Sequence, residues 1–168
     1  SMSGAYRSIG INRNDFMSLI QMRPEGGAAF GTLEWVAYAS NAFNTMVPFY
    51  ADVDETPEYL ANTTGEVSTG NFYWTSRMIA AMADASYGKS LFHVERYQEN
   101  TLAKSRALIC QYDALLADEK DPEKQMELKR EANRKVAEMV QKEASATLDK
   151  VLYELSNQMK NSYARSDV

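Results

Sequence analysis

Seven of the eight glycines and three of the four prolines fall within residues 1–70; residues 71–168 hold only Gly88 and Pro122. Glycine loosens the backbone and proline removes a donor, so both interrupt regular helix. The later part of the chain can therefore carry long unbroken helices, and the earlier part cannot. This predicts an α+β chain with two segments: residues 1–70, β-rich and contributing strands to a sheet, and residues 71–168, helical.

In the first segment, Phe16-Met-Ser-Leu-Ile-Gln-Met reads as a strand that must stop before Pro24, which cannot donate to a ladder. Glu25 to Gly31 reads as a flexible connection. Leu33-Glu-Trp-Val-Ala-Tyr-Ala39 reads as the returning strand, with Trp35, Ala37 and Ala39 on one face and Val36 and Tyr38 on the other. Both faces are apolar enough to call for cover on both sides. Two strands alone are marginal in water, and residues 51–168 offer no convincing third. The sheet is thus expected to be completed by sequence outside this chain.

Three helices are expected in the second segment, at about 72–87, 91–117 and 122–162. Asn71 or Thr69 can cap the first, with Phe72, Ile79, Met82 and Ala83 as its apolar stripe and Gly88 as its terminator. Ser90 can cap the second, in which Leu102, Ile109, Tyr112 and Leu116 recur at helical spacing. Asp121 can cap the third, with Pro122 at its first position. Val136, Val140, Leu148, Val151, Leu155 and Met159 form its seam. The second and third helices should make an antiparallel hairpin.

Net charge is −5, so no basic field favours nucleic acid. No apolar run approaches the ~20 residues of a membrane span. One cysteine allows no internal disulfide, in keeping with a reducing, cytoplasmic setting. Residues 1–70 carry 3 basic and 8 acidic residues, against 15 of each in residues 71–168. An acidic first segment suits either a solubilising surface or a substrate with a free amine.

Self-contained chemistry is scarce. One Cys and one His cannot build a zinc site. Cys110 and His93 lie seventeen residues apart on one expected helix, roughly 25 Å, so they cannot form a nucleophile–base couple. Cys110 reads as a buried small hydrophobe and His93 as a surface residue. Gly26-Gly27 lacks the Lys-Ser/Thr and the helix of a phosphate loop. Ser1 could serve as its own nucleophile and base, but the strand that should follow it is not evident. Asp52, Asp54, Glu55 and Glu58 form an acidic cluster, read as a solvated loop rather than a calcium loop.

Three stretches carry a further signal: Asn12-Arg-Asn-Asp-Phe-Met-Ser-Leu-Ile-Gln-Met-Arg-Pro24; Trp35-Val-Ala-Tyr-Ala-Ser-Asn-Ala-Phe-Asn44 with Val47-Pro-Phe-Tyr50; and Thr56-Pro-Glu-Tyr-Leu60 running on to Asn71-Phe-Tyr-Trp-Thr-Ser-Arg77. In this order, over roughly residues 7–97, they resemble the dipeptidase family of N-terminal-nucleophile hydrolases. The resemblance implies a four-layer αββα fold in the whole enzyme and cofactor-independent hydrolysis of dipeptides by an N-terminal cysteine. It places this chain in the C-terminal portion, inactive alone, with the nucleophile in a missing N-terminal part. Substrate contacts then fall to strand-end residues: Ser40, Asn41 and Asn44 after the second strand, and Arg13, whose planar fork suits a substrate carboxylate. The implied partners are a dipeptide, the rest of the same protein and a possible second copy, with no nucleic acid and no membrane. The alternative is an α-helical interaction module that binds a partner through the Val136–Met159 seam.

Overall fold

The structure, a computed structural model, describes residues 14–159. Arg13 and Ser1 lie outside the described residues. Among those described, the chain is α+β: a three-stranded antiparallel sheet followed by three long helices.

Strand β1 (Phe16–Gln21) pairs with β2 (Leu33–Tyr38), with Phe16 opposite Tyr38 and Gln21 opposite Leu33. The connection is more ordered than its glycines suggest. Pro24–Gly26 forms a 3₁₀ turn and Gly27–Phe30 a short helix, α1. Gly27 and Gly31 both take φ near +60°, the conformation that glycine adopts without steric cost.

The third strand, β3 (Val47–Tyr50), escapes the sequence reading. It is four residues long and contains Pro48, which ordinarily argues against a strand. It survives because it is an edge strand, with Pro48 opposite Trp35. Its far side faces helix rather than strand. Asn133, 2% exposed, accepts from the Tyr50 backbone N–H at 2.8 Å and donates Nδ2 to the Tyr50 carbonyl at 3.0 Å. One side chain thus satisfies both free backbone groups of Tyr50.

Helix α2 (Phe72–Ala85) starts at Asn71, whose side chain accepts from the amides of Tyr73 and Trp74. Helix α3 spans Tyr87–Asp118. Contrary to expectation, Gly88 does not terminate α2 and Ser90 does not cap α3; both lie inside α3. The break is a single residue, Ser86, which bonds back to the Met82 carbonyl and also meets the Ser90 hydroxyl. A serine that back-bonds in this way bends a helix without a glycine. Helix α4 (Pro122–Ser156) begins with Asp121 accepting from the Glu123 amide. It ends at Ser156 rather than near 162, where Asn157 donates back to the last turn.

Buried positions on α3 fall at Ser90, Val94, Tyr97, Thr101, Ser105, Ile109, Tyr112 and Leu116. Leu102 and Cys110 each sit one position past this stripe, and both are exposed. Each was expected in the core, and the offset of one residue, about 100° around the helix, turns them out. On α4, Val136, Val140, Leu148 and Val151 are buried. They pack in two clusters, one with β2, β3 and the far half of α3, the other with α2 and the start of α3. The seam offered for an external partner is therefore largely taken up within the chain. Met159 lies beyond the helix and is exposed.

The acidic loop is also spoken for. Asp52 pairs with Lys129 at 2.5 Å, Asp54 with Arg130 at 2.8 Å and Glu55 with Arg134 at 3.3 Å. Basic residues on α4 thus pair with three of its four carboxylates, Glu58 apart, and dock the loop onto the helix. Lys129 is 4% exposed, and its pairing with Asp52 meets the cost of that burial.

Tyr97 gives a pH-dependent prediction. It is 2% exposed, and its hydroxyl has no hydrogen-bond partner among the described residues. Burial drives its ionisation well above the usual tyrosine value. A raised folded-state value favours the neutral phenol. The associated stability is intact below the unfolded-state value near pH ~10 and drains away as pH rises beyond it. Tyr97→Phe removes the unpaired hydroxyl and should add about 1 kcal/mol at neutral pH, while flattening the alkaline decline. Urea melts at neutral and alkaline pH check both; a variant weaker at neutral pH would mean that the hydroxyl is satisfied.

Candidate functional site

A hollow of about 620 Å³ opens where the end of β2 meets the start of β1, within the range of small-ligand sites. Its walls come from Asn14 and Asp15 before β1, Ala39, Ser40, Ala42 and Phe43 after β2, and Arg77, Ala80, Ala81 and Asp84 on α2, with Tyr87 beyond them. Sheet pairing builds this convergence. The Phe16–Tyr38 pairing is extended by the Ala39 amide, which donates to the Asp15 carbonyl at 3.0 Å. The two strand ends are thereby held side by side.

The turn after β2 is tightly specified. Ala39 has φ +68°, a conformation costly for any residue with a Cβ. Its carbonyl accepts from Asn44 Nδ2 at 3.1 Å. The amides of Phe43 and Asn44 both bond to the Ser40 carbonyl. Gln98 on α3 donates to the Asn44 carbonyl at 2.8 Å, tying the turn to the helices. A left-handed alanine fixed by four neighbouring hydrogen bonds is the kind of local strain that clusters at binding sites.

The sequence-derived candidates separate in this geometry. Ser40 lines the hollow. Asn41 is half-buried beside it, and its Oδ1 has no partner among the described residues. Asn44 is buried and spends its amide on the turn itself. Arg13 is outside the described residues, adjacent in sequence to the lining residue Asn14.

The sequence reading missed the residues that supply charge. Arg77 Nη1 donates to Asp15 and to the Tyr73 hydroxyl, and the guanidinium lies over the Tyr73 and Trp74 rings at 5.5 and 5.9 Å. Ring stacking and a shared nitrogen hold its plane in one orientation. The Arg77 and Asp15 side chains are 39% and 62% exposed, so the pair contributes little to stability. Asp84 follows two turns later on α2. A usable signal existed: Arg77 is the one basic residue of α2, and Asp84 its one acid, seven positions on.

No metal-binding grouping of three His, Cys, Asp or Glu occurs among the described residues. No helix of the described residues is long and apolar enough to cross a membrane. Nor does the hollow hold a thiol or imidazole. Cys110 lies elsewhere on α3, and His93 approaches Glu154 at 3.4 Å.

Comparison with known proteins gives this geometry a context. The sequence model for peptidase family C69 matches residues 2–100, a stretch that contains every residue lining the hollow. The chain is 41% identical over 163 residues to "Probable dipeptidase A" of Streptococcus pyogenes serotype M18, covering 96% of this chain and 33% of that protein. It is 36% identical over 200 aligned positions to "Dipeptidase" of Bifidobacterium longum, covering 96% and 37%. "Dipeptidase A" of Lactobacillus helveticus matches at 35% over 82 residues, 49% of this chain and 17% of that protein. The chain thus spans about a third of the length of the first two relatives. With the family model matching more than half of its residues, the chain belongs to peptidase family C69.

Proposed function

We propose that this chain is the substrate-facing portion of a cytoplasmic dipeptidase, whose nucleophile is an N-terminal cysteine contributed by sequence outside these 168 residues. One observation carries the reading: the hollow at the strand ends, inside the family-matched segment, offers hydrogen-bonding and charged groups but no thiol among the described residues. The chain's single cysteine is on α3, away from that hollow.

The chemistry divides accordingly. A thiolate attacks the peptide carbonyl, its own α-amine carries the proton, and donors stabilise the oxyanion. The thiol and amine come from the other part of the protein. This chain supplies the wall against which the dipeptide lies, with Ser40 as a donor within reach of the substrate and Asn44 holding the turn that presents it. Asn41 adds an acceptor behind the turn, and Arg13, next to Asn14 in sequence, a cation for the substrate.

The rest of the protein also completes the sheet along β1. In support, Phe16, Leu19 and Ile20 are 53%, 52% and 58% exposed on a strand whose outer edge has no partner among the described residues. Adjacent positions point to opposite faces, so both faces of β1 carry exposed apolar side chains among the described residues.

The test compares dipeptide hydrolysis by the complete protein, its N-terminal Cys→Ser variant and this chain alone. Activity is expected only in the complete protein, with loss of at least ~1,000-fold on substitution. Turnover by this chain alone, or an unaffected variant, would refute the division of labour.

A further inference from the structure

We infer that the hollow measures the length of its ligand by charge: Arg77 binds the free carboxylate of a dipeptide, and Asp84 its free ammonium. This deepens the dipeptidase reading and rests on it for the identity of the ligand.

The first observation is the unused edge of Arg77. A guanidinium offers five N–H donors in a fixed fork. Both bonds that Arg77 makes, to Asp15 and to the Tyr73 hydroxyl, use Nη1. The Nε–Nη2 edge makes no hydrogen bond among the described residues. That edge is the side of the fork that grips a carboxylate through two parallel bonds. Asp15 and the Tyr73 and Trp74 rings fix the plane from which it projects. The arginine is oriented before any ligand arrives, which lowers the entropy lost on binding.

The second observation is Asp84. It is exposed, lines the same hollow, and makes no ion pair among the described residues. Seven helical positions place it on the same face of α2 as Arg77, about 10 Å further along the axis. An extended dipeptide covers roughly 7 Å, and an ionic contact at each end adds about 3 Å. The sum is about 13 Å, comparable to the ~10 Å axial spacing once the reach of the two side chains beyond their backbone positions is added. A tripeptide is longer by about 3.5 Å and would overrun one anchor. Between the two charges the wall is Ala80 and Ala81, small side chains that leave room for a peptide and do not select its side chains.

The assay uses the complete protein with three substrates: alanyl-alanine, its C-terminal amide and its N-acetyl derivative. Wild-type protein should prefer the unblocked dipeptide to each blocked form. Arg77→Gln should lower kcat/KM for the unblocked dipeptide by about 10- to 100-fold, the worth of a hydrogen-bonded charge, and lower it much less for the amide. Asp84→Asn should do the same for discrimination against the acetylated substrate. Arg77→Lys should retain part of the preference. Thermal melts control for folding, and Asp84, being exposed, tolerates substitution. Equal losses on all three substrates, or loss of carboxylate preference in Arg13→Gln but not in Arg77→Gln, would overturn the assignment.

Titration calorimetry with alanyl-alanine separates the two ideas. A protein that binds the dipeptide through Arg77 but never hydrolyses it would sink the dipeptidase reading and keep the charge ruler. Binding that survives both Arg77→Gln and Asp84→Asn would sink the ruler, whatever the turnover.

Discussion

Replacing Arg23 with Met is expected to destabilise the fold by about 3 kcal/mol, at the lower end of what breaking a buried ion pair costs. Arg23 is 9% exposed and pairs with Asp113 of α3 at 2.6 Å. It also donates to the Phe30 carbonyl and lies over the Phe30 and Tyr50 rings. Asp113 in turn accepts from the Tyr50 hydroxyl at 2.7 Å. Burial, reinforced by that bond, pushes the Tyr50 ionisation far above the usual range, so this phenol stays a donor across the working range of pH. Removing the arginine leaves the Asp113 carboxylate, whose side chain is 20% exposed, with only one partner in a poorly solvated place. The double variant Arg23→Met, Asp113→Leu should recover much of the loss, because it deletes both charges together. Urea unfolding of the three variants measures this. A double variant as weak as the sum of its singles would show that Arg23 acts through packing rather than charge.

Asn133→Leu should cost a comparable amount, roughly 3 kcal/mol. The substitution leaves the Tyr50 N–H and C=O without the partners that Asn133 provides, and each buried unsatisfied group costs about 1–3 kcal/mol. The leucine is nearly the same size, so cavity formation adds little. Hydrogen exchange is the sharper readout. The Tyr50 amide should lose protection while the α4 amides around position 133 keep theirs. Unchanged protection at Tyr50 would mean that its amide is satisfied elsewhere.

Local rules in the sequence reached far into the helical half. The scarcity of Gly and Pro after residue 70, the Asn71 cap and the Asp121-Pro122 start are near-neighbour chemistry, and the structure has them in place. The features that escaped share one property: their partners are remote in sequence. Strand β3 depends on Asn133, 83 residues away, and the Arg23–Asp113 pair spans 90. The hollow joins Asp15 to Arg77 across 62 residues. Hydrophobic periodicity carries no trace of such pairings. Its errors inside elements were of another kind. Leu102 and Cys110 look like core residues by type, but the packed face of α3 belongs to Thr101, Ser105 and Ile109. Thr101 holds the core position that its neighbour Leu102 was expected to fill. The helical break at Ser86 was displaced for a similar reason, because a serine that bonds its own preceding turn mimics what glycine usually signals.

The amide of Asn133 has a consequence beyond stability. A β-sheet can ordinarily elongate from either flank, like a polymer with two live ends. Here one flank is chain-terminated, since the groups that would template another strand beside Tyr50 are already bonded to a side chain of α4. Among the described residues, the flank left open to elongation is the outer edge of β1. A further strand, from the same polypeptide or from another, finds that edge open among the described residues, next to those that line the hollow.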